Sequence, residues 1–283
     1  MKIYLECIPC FLRQALEASK MATRDSIKRE LAIKEVLRQL GKISFRDKTP
    51  PEIGYVVHRV VRKVTGNPDP YKKVKDEFNR KAQRMYPSLK DKVEKSQHRL
   101  LTATKTAIAG NIIDFGPTSR FDLERTIREV LSRGFTIDHF KLFEKALEKA
   151  KTVAYLGDNA GEIVFDRVLL EELEGKQITF VVKGGPHIND ATVADAKFAG
   201  IHEIAQIKTV GNGEPGTGPR RNSKRFISWL KTRDVVISKG QGNYESLSEA
   251  DANIFFLLRV KCPMIARDIG APVGSTVVKS VKR

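Results

Sequence analysis

Two aspartates, an asparagine and a lysine lie in short polar turns where they could do chemistry. In Leu156-Gly157-Asp158-Asn159-Ala160-Gly161-Glu162, two oxygen-bearing side chains stand together ahead of a flexible Ala-Gly pair. Such donors suit a hard divalent cation, Mg²⁺ or Mn²⁺, and a helix starting behind them suits an anion. Asp-Asn is also an ordinary helix cap, and the stretch lacks the G-x-G-x-x-G spacing of a nucleotide loop. Lys183-Gly184-Gly185-Pro186-His187-Ile188-Asn189-Asp190-Ala191-Thr192 is a second such turn. If the two turns are neighbours, Asp158, Asn159 and Asp190 converge as three oxygen ligands. Asn189 or Asp190 equally suits a cap; His187 reads as a surface histidine and Asp195 as facing solvent or supporting the loop. In Val235-Val236-Ile237-Ser238-Lys239-Gly240-Gln241-Gly242-Asn243, Lys239 leaves an apolar run, and a fixed ammonium there neutralises phosphate charge.

These turns need elements to hold them. Thr152–Leu156, Ile178–Val182 and Val235–Ser238 are short, β-branched, nearly continuous apolar runs, as expected of strands covered on both faces. Alternating with helical stretches, they predict a parallel, doubly wound sheet with its site at the strands' carboxyl ends. The period changes near residue 151. Before it the chain reads as helices, with apolar stripes at Ile33, Val36, Leu37 and Leu40 and from Ile53 to Val64. Breaks are predicted at 49–51, 66–70 and Tyr86-Pro87-Ser88, and further helices near 90–109, 121–132 and 138–150. The expected division is a helical domain over 1–110, its helices continuing to about 150, and an α/β domain over 151–283. Asn111 and Asp114 are either caps or groups reaching into the cleft between them. Gly211–Arg221, rich in glycine and proline, reads as an irregular surface loop.

The chain has 283 residues, 41% of them hydrophobic, enough to bury a substantial core and to exclude disorder and fibrous architectures. No apolar run is long enough to cross a membrane and no signal peptide is legible, so a cytoplasmic protein is expected. Three cysteines make no disulfide framework; Cys7-Ile8-Pro9-Cys10 has redox or zinc spacing without a full ligand set. Of the net charge of +17, residues 1–100 carry 24 Lys and Arg against 12 Asp and Glu. That excess suits nucleic acid, an anionic metabolite or a solvated helix face.

Together, Glu6-Cys-x-x-Cys10, the Gly110-Asn-Ile-Ile-Asp-Phe-Gly116 junction, the Gly157-Asp-Asn-Ala-Gly-Glu162 loop, the second polar turn and Ser238-Lys-Gly-Gln-Gly-Asn-Tyr-Glu245 resemble the metal-dependent damage-control phosphatase family, once described in part as acidic-residue methyltransferases. The resemblance spans the chain and is nearest the cysteine-bearing archaeal and bacterial branch. It implies a Rossmann-like three-layer α/β/α domain behind an N-terminal helical domain, with Mn²⁺, Ni²⁺, Co²⁺ or Mg²⁺ in the cleft. Carried over, the metal ligands are Asp158, Asn159 and Asp190, the phosphate-binding lysine is Lys239, and Glu162 and Asn111 face substrate. The turn before Glu162 is one residue shorter than in the eukaryotic branch, and Ala266-Arg267-Asp268-Ile269 lacks the Arg-Thr-x-Lys signature of some branches.

The expected function is metal-dependent hydrolysis of phosphate monoesters of small metabolites, damaged nucleotides or related intermediates among them. Asp190 or Glu162 would deprotonate the attacking water, with no phosphoenzyme. The alternatives are an S-adenosylmethionine-dependent carboxyl methyltransferase, ill served by Lys183-Gly184-Gly185 where an acidic residue is needed, and a basic nucleic-acid-binding protein, for which no recognition signature is present.

Overall fold

The computed structural model describes residues 1–46, 48–111, 129–130, 132–211 and 223–281. Helices α1 (Cys7–Ala22), α2 (Ser26–Leu40) and α3 (Pro50–Thr65) open the chain. Asp25 starts α2 by accepting from the backbone N–H groups of Ile27 and Lys28, and Thr49 with Glu52 forms a capping box for α3. Gly66, at φ 75°, closes α3 in the left-handed region. The three apolar stripes meet in one core containing Phe11, Ala15, Val36, Ile53, Val57 and Val61.

Helix α4 (Lys72–Glu94) runs through Pro87, where the sequence predicts a break. Proline removes a helical hydrogen bond, but Ala82, Leu89 and Val93 are buried on both sides of it, and packing holds the helix together. The helix expected over 90–109 is divided at residues 95–98, with α5 covering Arg99–Gly110. Asp114, most of the expected 121–132 helix and nearly all of the Gly211–Arg221 loop lie outside the described residues.

Then follow β1 (Ile137–Asp138), α6 (Phe140–Lys149), β2 (Thr152–Leu156), α7 (Glu162–Glu171), β3 (Gln177–Lys183), α8 (Val193–Phe198), β4 (Gln206–Val210), α9 (Lys224–Lys231), β5 (Val235–Lys239), α10 (Gln241–Leu247), β6 (Ile254–Arg259), α11 (Pro263–Ile269) and β7 (Thr276–Ser280). The sheet order is β1-β7-β6-β5-β2-β3-β4. It is parallel from β6 to β4; β7 runs antiparallel to β6 and parallel to β1.

Alternate strand residues feed the two faces. Val153, Tyr155, Phe180 and Ile237 pack with helices α4 to α8, while Ala154, Leu156, Val181 and Val236 pack with α9 to α11. The result is the expected three-layer α/β/α architecture with N-terminal helices. From β2 the chain winds one way through β3 and β4 and the other way through β5 and β6. The β2–β5 boundary is therefore a topological switch point, and the carboxyl ends of those strands are where doubly wound sheets hold their ligands.

Candidate active site

The turns after β2 and β3 are zipped together by their backbones. Asn159 and Asp190 form an antiparallel bridge, Ala160 N–H donates to the Asn189 carbonyl at 2.8 Å, and Ala191 N–H donates to the Asp158 carbonyl at 2.9 Å. Asp158, Asn159 and Asp190 consequently share one half-buried patch at these strand ends. The turn after β5 closes on it from the other side. Gly240 has φ 77°, and a Cβ there would lie 1.8 Å from Asp158 Oδ2, so glycine alone lets this turn approach the carboxylate.

Beneath the patch is a solvent-excluded ionic network. Glu162, the first residue of α7, accepts from Lys239 Nζ at 2.8 Å on Oε1, and from Asn159 Nδ2 at 2.9 Å and Asn111 Nδ2 at 3.1 Å on Oε2. Asn111, at the end of α5, also donates to Asp158 Oδ2 at 3.1 Å and accepts from the Arg259 N–H. Lys239 further donates to Asp166 Oδ1 at 2.6 Å and to the Ala107 carbonyl at 2.8 Å, which engages all three of its donors. Burial opposes its charge, but Asp166 and Glu162 outweigh burial and hold the ammonium above its ordinary range. Burial pushes the Asp166 carboxyl up, with Lys239 and a hydrogen bond from Tyr155 opposing.

The structure thus gathers Asp158, Asn159 and Asp190, and sets Glu162, Asn111 and Lys239 directly behind them. Lys239 is wholly buried with all three donors on protein acceptors, so the structure does not place it where the resemblance implies, in contact with a phosphate at the patch. The surface reading of His187 is corrected, and of the two readings of Asp195 the loop-supporting one holds. His187 is buried, stacked on Tyr55 with ring centroids 5.0 Å apart, because Arg62 draws its turn onto α3. Asp195 is buried too, accepting from Asn79 Nδ2 at 2.7 Å and from the Thr192 N–H and hydroxyl as a helix cap.

Four supporting groups escaped the sequence reading: Asp166, Tyr155, Asn79 and Asn243. Asp166 follows Glu162 by four residues on one helix face, a legible signal. Asn79 accepts from Gly161 N–H at 2.6 Å and, through Asp195, braces both turns from α4. Asn243 donates to the Lys239 carbonyl at 2.7 Å and the Gly157 carbonyl at 3.3 Å, joining β5 to β2.

The donor set fits a hard cation. Among the described residues Glu162 and Asp166 are paired with Lys239, and Asp190 lies 3.3 Å from Lys183. Asn159 gives its NH₂ to carboxylates, so its carbonyl oxygen is the end suited to a metal. Among the described residues no three His, Cys, Asp or Glu side chains form a metal cluster, and this set has two carboxylates and one amide.

Fold and patch define a doubly wound α/β protein with a carboxylate–amide site at its switch point. The chain belongs to the damage-control phosphatase family: residues 3–277 match the damage-control phosphatase ARMT1-like domain. A damage-control phosphatase of Pyrococcus horikoshii is 35% identical over 282 residues, covering 98% of this chain and 97% of that one. One of Archaeoglobus fulgidus is 34% identical over 290 residues and covers both chains fully, and an uncharacterized protein of Methanocaldococcus jannaschii is 37% identical over 288, covering 98% of this chain and 95% of its own. The crystal structure of a DUF89 family protein from P. horikoshii superposes with a TM-score of 0.85 at 32% identity, over the whole of both chains. Family membership makes this chain a phosphatase with a damage-control role.

Proposed function

We propose that the chain is a divalent-metal-dependent phosphatase that hydrolyses phosphate monoesters of small metabolites, damaged nucleotides or related intermediates among them, in the cytoplasm. The observation that supports this reading most is the meeting of Asp158, Asn159 and Asp190 at the switch point, above the Lys239–Glu162 pair. Those three would hold Mn²⁺ or Ni²⁺, with Co²⁺ or Mg²⁺ as substitutes, which when bound polarises a phosphoryl oxygen and offsets its charge.

The chain's own residues do the rest. Glu162 fixes the amides of Asn111 and Asn159, and with them the orientation of Asp158. Lys239 supplies a fixed positive charge that keeps two buried carboxylates compatible with the site. Of the two candidate bases, Glu162 has no exposed surface and three donors upon it, whereas the Asp190 side chain is 16% exposed. Asp190 is therefore the one an attacking water can reach, through the carboxylate oxygen not given to the metal, and Glu162 orients. No described helix is long and apolar enough to cross a membrane, in keeping with a small dissolved substrate.

The test is Asp158→Ala. It should abolish metal-stimulated release of phosphate from an aryl phosphate while the circular dichroism spectrum stays that of the wild type. Undiminished turnover would remove Asp158 from the site.

A further inference from the structure

The turn that carries Asp190 is strained, and helix α3 holds it so. Ile188 lies at φ 46°, and among the described residues no other non-glycine residue has a positive φ. A β-branched residue is a true outlier there, because its Cβ crowds the following carbonyl. Such a conformation persists only where its surroundings over-determine it.

Three residues of α3, Tyr55, His58 and Arg62, share one helix face and grip the turn just before Asp190. Arg62 Nη1 donates to the Pro186 carbonyl at 2.6 Å, a short charge-assisted bond. Tyr55 stacks on His187, and His58 meets it edge-on with ring centroids 5.7 Å apart. Ile188 itself packs against the α1–α3 core. On the far side, Asp190 N–H donates to the His187 carbonyl at 2.9 Å and Asp190 bridges Asn159. The strained residue thus lies between a clamp on the helical layer and the carboxylate patch.

We propose that Arg62 is a positioning residue for Asp190: by holding the Pro186 carbonyl it keeps the turn wound through left-handed Ile188, so that Asp190 stays against Asn159. The inference rests on the reading of Asp190 as a metal ligand. Without the clamp, Ile188 relaxes toward negative φ, and the carboxylate two residues on leaves the patch while the sheet beneath is undisturbed.

The experiment uses metal-free full-length protein: wild type, Arg62→Met, Arg62→Lys and, as reference, Asp190→Asn. Amide hydrogen exchange is followed over residues 184–191, and Mn²⁺ binding is measured by calorimetry. In Arg62→Met the Asp190 and Ala191 amides should exchange faster while those of Val181 and Val182 keep their protection. Mn²⁺ affinity should fall roughly 10–100-fold, as when an outer partner of a metal ligand is removed. Arg62→Lys should recover part of both. Wild-type protection of the turn, or wild-type Mn²⁺ affinity in Arg62→Met, would overturn the positioning role. Should Arg62→Met not fold, Arg62→Gln, shorter and uncharged, takes its place: the same losses are expected, and wild-type values overturn the role. Loss of affinity in Asp190→Asn with none in the Arg62 variants defeats the positioning role only; undiminished affinity in Asp190→Asn defeats the metal reading and this inference with it.

Discussion

Lys239 donates to Glu162 at 2.8 Å with both side chains wholly excluded from solvent. An ion pair this deep is not a source of stability in itself, because both charges lose their hydration. Its place directly below Asp158 and Asn159 gives it a use, as a fixed support for the amides that orient Asp158.

Lys239→Met should therefore be costly. It leaves Glu162 and Asp166 buried without a counter-charge, and urea denaturation should show a loss of about 3–5 kcal/mol. Adding Glu162→Gln and Asp166→Asn should recover part of it, since the uncompensated charges are then gone.

Gly240 and Gly66 both have positive φ, 77° and 75°, but Gly66, at ψ 7°, lies in the left-handed helical well, whereas Gly240, at ψ 167°, lies where essentially only glycine goes; a Cβ at Gly66 meets nothing within 4 Å and one at Gly240 strikes Asp158. Gly66→Ala should cost about 1–2 kcal/mol from strain alone and leave turnover unchanged. Gly240→Ala should lower turnover about 100-fold or more by displacing the carboxylate, measured as phosphate release beside the same denaturation curves.

Much of this was legible in the residues. β2, β3 and β5 are covered on both faces, and their unbroken apolar runs declare them; β4, Gln206-Ile-Lys-Thr-Val210, is an edge strand whose polar residues break that signal. Pro87 misled because local propensity says nothing of Leu89 and Val93 packing beyond it. Asp158, Asn159 and Asp190 stood out by residue type in polar turns after strands. Asn79 and Arg62 did not, since each acts from a distant helix on a backbone group, a relation the chain order does not express.

Asn79→Ala should remove the brace shared by both turns. It leaves the buried Gly161 N–H without its partner and removes the donor to Asp195 Oδ1, for about 1–3 kcal/mol in urea denaturation. Turnover should fall with it, while Asn67→Ala, which releases the Ala22 carbonyl and the Asp69 N–H among the outer helices, should leave turnover intact.

Stability should decline in acid through His58. Burial above all, with His187 and Arg62, lowers this imidazole from its ordinary 6.5 to about 3. The folded state keeps it neutral where the unfolded chain takes up a proton, so its contribution is complete above pH ~6.5 and is lost as pH falls toward ~3, at up to about 1.4 kcal/mol per pH unit. Urea denaturation between pH 7 and 4.5 should show this slope, and His58→Gln should flatten it.

The central claim, a cation held by Asp158, Asn159 and Asp190 for phosphoryl hydrolysis, is met most directly by one titration. Chelator-stripped protein is given Mn²⁺ while phosphate release from an aryl phosphate is followed, for the wild type and for Asp158→Asn. Release should be negligible without the cation, recover saturably in the wild type and not recover in folded Asp158→Asn. Equal release with and without Mn²⁺, or full recovery in Asp158→Asn, would contradict the claim.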